Sequence, residues 1–403
     1  MLRCSYESDE PVHASVNADA LLATAKALAG VDEVRDDSFY EGLERFASAF
    51  AAQDGLTNLG RNLAEGQAVG NLANRLSVDE YVAHHPEVLD RPVERPLVIL
   101  GMPRTGTTLV VNLLAQVPSL RPLLNWEGLT SVPPPEATNY DRDPRLVVRR
   151  QQLRALRETG PLAAVHWEEA DDPAECTVLH QQDFKALVLT AFVSDPSYAE
   201  WLLSVDVSST YRYEKRALQV LQWNVRGRWL LKMPAHAVHL EELFAEFPDA
   251  DVVVCHRDPT TALASACSQR GRFHQMVFDR VDREAIRSTS LRVLVESSIR
   301  PIRWRDAHGG DRFYDVHYAD LLSDPVGQLR KITEYFGEPW SRATEESALR
   351  RVRDRPQSHY GRHHYSADEY GIRREEVEPL FAEYLSRYEA LLNETTTSEP
   401  SAE

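Results

Sequence analysis

Three short segments of this chain carry residue types suited to holding phosphate-like anions. The first is Gly101-Met102-Pro103-Arg104-Thr105-Gly106-Thr107-Thr108, which follows the apolar run Pro96-Leu97-Val98-Ile99-Leu100. It precedes a helical pattern with Leu109, Val110, Leu113, Leu114 and Val117 on one face. Strand, glycine-bounded loop and helix make an anion cradle, because the loop N–H groups and the helix N-terminus point at the same negative charge. The lysine of the Walker loop is missing: Thr107 stands in its place, and the cation, Arg104, lies inside the loop. The second segment is Leu231-Lys232-Met233-Pro234-Ala235-His236, at the end of a short apolar run. The third is His256-Arg257-Asp258-Pro259, with Ser265 eight residues after Arg257. Asp258 is a natural N-cap and Pro259 suits the first helical position, so Arg257 is expected at a strand's carboxyl end beside a helix N-terminus.

Candidate bases lie nearby in sequence. Glu127, in Asn125-Trp126-Glu127-Gly128, has an apolar neighbour that would raise its pKa toward a useful value. His236 is its rival. The acidic run from Glu168 to Glu175 is a third source, although Asp172-Pro173-Ala174-Glu175 reads as an N-cap, a proline at N1 and a capping-box glutamate. No metal site is expected. His84-His85 and His363-His364 are adjacent pairs that cannot easily face one ion, and neither H-E-x-x-H nor C-x-x-C occurs.

The elements that must position these groups alternate strand and helix. Residues from about 17 to 90 show helical spacing (Leu21, Leu22, Ala25, Leu28; Leu43, Phe46, Ala47, Phe50), and Pro92 and Pro96 bracket the first strand. A helical pattern with Trp167, Phe184, Phe192, Trp201 and Trp223 fills about 140–225 and reads as an insertion covering the sheet. Strands resume at Arg228–Lys232, at the continuous apolar run Asp251–His256 and at Asp311–Tyr318, with a helix after Asp324-Pro325. A last amphipathic helix carries Val377, Leu380, Phe381, Tyr384, Leu385 and Tyr388, and Thr395–Glu403 reads as a disordered tail. This pattern predicts a three-layer α/β, P-loop-like fold around a parallel sheet of about four to five strands, with helical additions. The expected organisation is an N-terminal helical region over 1–92, an α/β core over 93–340 and a C-terminal closing segment over 341–403.

A net charge of −17 argues against a nucleic-acid binder, which needs a basic face. The four cysteines form no paired framework, the N-terminus lacks a signal-peptide core and no apolar run spans a bilayer, so a cytoplasmic protein is expected.

Taken together, the three segments resemble the sulfotransferase family that uses 3′-phosphoadenosine-5′-phosphosulfate (PAPS), most closely its bacterial branch and more distantly the tyrosylprotein sulfotransferases. The family's 5′-phosphosulfate loop, P-[RK]-[ST]-G-[TS]-T, is matched by Pro103-Arg104-Thr105-Gly106-Thr107-Thr108, and its 3′-phosphate pair by Arg257 and Ser265. Phe247-Pro248-Asp249-Ala250 and the late Arg362-His363-His364-Tyr365-Ser366 near Tyr370-Gly371 share the likeness. The resemblance implies metal-free sulfuryl transfer from PAPS to a hydroxyl of a small molecule, lipid or sugar, releasing adenosine 3′,5′-bisphosphate. It implies that Arg104, Thr105, Gly106, Thr107 and Thr108 hold the phosphosulfate, and that Arg257 and Ser265 hold the 3′-phosphate. Lys232 would contact the bridging oxygen, and Arg362 and His363 would close over the nucleotide. Glu127 stands where several members place a catalytic glutamate. Some relatives use a histidine two residues after the lysine, whereas His236 comes four after Lys232. Two other classes would share such a loop. A P-loop kinase or NTPase needs a Walker lysine and a Mg²⁺-binding aspartate, which are not evident; a catalytically silent nucleotide-binding protein would keep the loop and lose the base.

Overall fold

The computed structural model describes residues 17–159, 169–354 and 366–393. Arg362, His363, Trp167, Glu168 and the expected tail lie outside the described residues.

Five parallel strands form one sheet: β1 (Leu97–Gly101), β2 (Leu120–Pro122), β3 (Arg228–Lys232), β4 (Asp251–His256) and β5 (Phe313–His317), in the order β2-β3-β1-β4-β5. Every residue of β1 and β4 is buried, as helices on both faces require. Side chains alternate between faces along a strand. Val98, Leu100, Leu231, Val252 and Val254 therefore enter one core, and Leu97, Ile99, Leu230, Val253 and Cys255 the other. These two cores and the sheet between them make the three layers.

Helices α1 (Ala18–Ala29), α2 (Tyr40–Ala51) and α3 (Asn58–His84) precede the sheet. They share a further hydrophobic cluster with Phe184, Phe192, Tyr198 and Leu202 of the middle region and with Val277 and Phe278. After β1 comes α4 (Thr107–Leu114), and after β2 come α5 (Asn125–Leu129) and α6 (Pro144–Thr159). Next are α7 (Thr177–His180), α8 (Pro196–Ser204) and α9 (Ser208–Leu221), the last packing Ala217, Leu218 and Leu221 onto the sheet. Helix α10 (Leu240–Glu246) joins β3 to β4. Helices α11 (Pro259–Val277) and α12 (Arg283–His308) separate β4 from β5, and α13 (Tyr318–Ser323) and α14 (Pro325–Phe336) follow it. The expected N-cap forms at Asp258, which accepts from Thr261 N–H, and Asp324 caps α14 in the same way by accepting from Gly327 N–H.

Two expectations change. Strand β2, three residues ending at Pro122, lies at the sheet's edge, where a missing N–H is tolerated; it is too short to show a period. The single C-terminal helix is instead broken into short turns around Pro379. Val377, Phe381, Tyr384 and Tyr388 are buried, but Leu380 is exposed.

Candidate active site

The strand order places β1 between β3 and β4, so the connection from β3 to β4 crosses over it. Ligand crevices open at the carboxyl ends of strands where the order switches sides. The glycine loop leaves β1 there, Lys232 ends β3 and Arg257 follows β4. The three sequence segments thus occupy three adjacent strand ends.

Local backbone geometry shapes the loop. Gly101 has φ 140°, and a Cβ there would lie 2.5 Å from the Cys255 carbonyl oxygen on β4. Gly106, the N-cap of α4, has φ 96°, and its Cβ would meet the Tyr318 ring at 2.8 Å. Arg104 adopts φ 72°, a left-handed conformation that strains an L-residue and that gathers at ligand-binding loops. Thr105 is buried, and its hydroxyl donates to the Met102 carbonyl at 2.7 Å. Its side chain thus braces the loop rather than facing a ligand. The N–H groups of the first turn of α4 have no partner within the helix, which is what an anion requires.

The two arginine segments touch. Arg104 Nε donates to Ser265 Oγ at 3.1 Å, and Arg257 Nη1 donates to the Arg104 carbonyl at 3.0 Å. The Arg257 guanidinium stands 4.3 Å from the centre of the Tyr318 ring. Behind it, His256 Nε2 lies 2.8 Å from Asp315, which also receives two hydrogen bonds from Arg305. Burial pushes the Asp315 carboxyl up, but His256 and Arg305 together bring it down to about 2.

Lys232 is enclosed, and its Nζ donates to Glu175 Oε1 at 2.7 Å and to Thr108 Oγ1 at 3.4 Å. The Glu175 side chain stays 28% exposed, so the pair has one buried partner and one that reaches solvent. Cys176 N–H donates to the Lys232 carbonyl at 2.9 Å, tethering this segment to the end of β3. The capping reading of Asp172-Pro173-Ala174-Glu175 is therefore corrected. Helix α7 begins only at Thr177, Pro173 bridges Leu124, and Asp172 accepts from Glu169 N–H and pairs with Arg351.

The other two candidate bases are closed away. Glu127 is completely buried; Arg121 Nη2 donates to it at 2.6 Å, Leu124 N–H donates at 3.1 Å, and Tyr140 is hydrogen-bonded to it. Burial raises its pKa, as expected, but this carboxylate locks α5 to β2 and has no opening to a substrate. His236 is also completely buried, with Nδ1 2.8 Å from the Tyr211 hydroxyl, and burial lowers its pKa to about 3. Cys176, Glu214 and His236 bring donor atoms within 4.8 Å of one another. Glu214 is engaged by His180 at 2.9 Å and by the Cys176 thiol, while His236 Nε2 and Glu214 Oε1 have no hydrogen-bond partner among the described residues.

Sequence reasoning missed Tyr318 and undervalued Glu175. A tyrosine closing the β5 run was the signal for the first. The second had none, because its contact with Lys232 spans 57 residues.

A profile of the sulfotransferase family matches residues 96–342, which contain all three segments. The chain belongs to the sulfotransferase family. Among solved structures of the family, sulfotransferase STF9 from Mycobacterium avium is 37% identical, with a TM-score of 0.87 over 94% of this chain and 98% of that one. Sulfotransferase STF1 from Mycobacterium tuberculosis H37Rv is 28% identical, with a TM-score of 0.82 over 92% of this chain and 99% of that one. The omega-hydroxy-beta-dihydromenaquinone-9 sulfotransferase Stf3 of Mycobacterium bovis is 26% identical over 255 residues, 60% of this chain and 62% of the relative. The match with that relative therefore leaves more than a third of its length uncovered. Among the described residues, no helix of this sulfotransferase-family chain is long and apolar enough to cross a membrane.

Proposed function

We propose that this protein moves a sulfuryl group from PAPS to a hydroxyl oxygen. The observation that carries the reading is Lys232, held by Glu175 on one side and within reach of Thr108 of the anion loop on the other. In the reaction the acceptor oxygen forms a bond to sulfur while the bond from sulfur to the 5′-phosphate oxygen breaks, and adenosine 3′,5′-bisphosphate leaves with the electron pair. Gly106, Thr107 and Thr108 cradle the phosphosulfate through N–H groups and hydroxyls, and Lys232 stabilises the charge growing on the leaving oxygen. Arg257 and Ser265 take the 3′-phosphate. Arg104 joins them, since its side chain reaches Ser265. Glu175, and neither Glu127 nor His236, accepts the acceptor's proton, because it pairs with Lys232 and keeps an exposed edge. A hydroxylated lipid is the acceptor class to try first, given the name of the Mycobacterium bovis relative.

Nucleotide binding and chelation test this. Titration calorimetry is expected to show adenosine 3′,5′-bisphosphate binding more tightly than ATP-Mg²⁺, with labelled-sulfate transfer undiminished in EDTA. Preference for ATP-Mg²⁺ would point to a kinase-like enzyme instead, and loss of transfer on chelation would refute metal-free sulfuryl transfer.

A further inference from the structure

Arg257 is the first residue beyond β4: the last ladder pair on that side joins His256 to His317. Arg257 is half-buried, and its N–H finds a hydrogen-bond partner outside the sheet. The partner comes from the far end of the chain. Tyr384, buried in the helical turn Ala382–Arg387, places its hydroxyl 3.3 Å from the Arg257 N–H and 3.3 Å from the Arg257 carbonyl oxygen. The same hydroxyl is 3.2 Å from His256 Nδ1.

An ionised carboxylate only accepts, so the His256 nitrogen facing Asp315 carries a proton. The Tyr384 hydroxyl oxygen accepts the Arg257 N–H, and the hydroxyl donates to the Arg257 carbonyl, so both bonds fall on the same residue. Arg305 completes the line by donating to both oxygens of Asp315. The nearby Tyr388 hydroxyl accepts from Arg305 and is bonded to neither atom of the strand end.

We propose that Tyr384 is a positioning residue for Arg257, fixing from the C-terminal segment the strand end that presents the 3′-phosphate anchor. This rests on the functional reading above. Without the hydroxyl, Arg257 loses the bonds to its N–H and its carbonyl, and nucleotide binding must compensate for a less firmly fixed strand end. By the same linkage, bound nucleotide stabilises docking of the C-terminal segment.

The test compares Tyr384→Phe, Tyr388→Phe and Arg257→Ala in the full chain, using adenosine 3′,5′-bisphosphate and AMP as probes. Tyr384→Phe is expected to weaken bisphosphate binding about tenfold, equivalent to about 1.4 kcal/mol. It should raise KM for PAPS similarly, with kcat and AMP affinity unchanged. Tyr388→Phe, which perturbs the same segment, should leave all of these within about twofold. A purely packing role would move both variants alike. If Tyr384→Phe binds bisphosphate as the wild type does while Arg257→Ala loses it, the positioning role is wrong and the 3′-phosphate site stands. If Arg257→Ala also binds normally, the site assignment itself has failed.

Discussion

Glu175→Gln separates the two carboxylates that could serve as the base. The substitution keeps an oxygen to accept from Lys232 Nζ, now 2.7 Å from Glu175 Oε1, but it removes the charge and the capacity to take a proton. Loss of a general base typically slows the chemical step by about 10²–10⁴, or about 3–5 kcal/mol of barrier. Breaking a buried ion pair costs about 3–5 kcal/mol of stability, but the 28% exposure of Glu175 admits water to its side of the pair. With the retained hydrogen bond, a loss of about 1–2 kcal/mol is expected. Glu127→Gln should do the reverse. Its carboxylate has no exposed surface and holds Arg121, itself 6% exposed, so stability should fall by about 3–5 kcal/mol with kcat largely retained in the folded fraction. Single-turnover transfer of labelled sulfate, with urea midpoints for each variant, distinguishes the two. Should Glu175→Gln keep kcat within about threefold of wild type while Glu127→Gln loses it in folded protein, the base assignment would be reversed.

Further outcomes follow from other parts of the site. Lys232→Met should lower kcat by about 10²–10³ while leaving bisphosphate affinity within severalfold, since the product lacks the developing charge; equal losses in kcat and affinity would make the lysine a general anion binder. Gly106→Ala should abolish bisphosphate binding, because it adds a Cβ 2.8 Å from the Tyr318 ring at φ 96°, and calorimetry showing near-normal affinity would contradict the loop geometry. Acid should destabilise the fold before the carboxylates titrate. Burial lowers His236 and His239 to about 3 and His274 to about 4, so the unfolded chain binds protons that the folded chain refuses once pH drops below about 6.5. Each should cost about 1 kcal/mol per pH unit between roughly 6 and 4.5, and equal urea midpoints at pH 7.5 and 5.5 would contradict this.

The strand-end segments were legible because their signals are local. The apolar run of β1 leads directly into the glycine-bounded turn and that of β4 directly into the Asp258-Pro259 helix start, so each signal sits within about a dozen residues. Side-chain partners were another matter. Glu127 was read correctly as a carboxylate with a raised pKa, but nothing in Asn125-Trp126-Glu127-Gly128 shows that β2 returns Arg121 to meet it. Glu175 sits in a run that imitates a helix cap; a tether to β3, not the run's own propensity, decides its conformation. Tyr384 was read as one member of an apolar stripe. Its ring does lie in the core, and only the fold reveals that its hydroxyl meets Arg257.

The central position of β1 also bears on how the protein is made. Leu97 pairs with Leu230 on one side and with Asp251 on the other, so the strand that launches the anion loop must wait for more than a hundred further residues before either neighbour exists. At elongation rates of about 5–20 residues per second, that is a delay of several seconds or more with Val98-Ile99-Leu100 exposed. The first three helices emerge earlier and also lack their partners, since Phe184, Phe192 and Val277 are still unmade. A nascent chain halted before His256 would contain the loop's whole sequence and no anion site, and it would present apolar strand and helix surfaces to whatever chaperone first meets it.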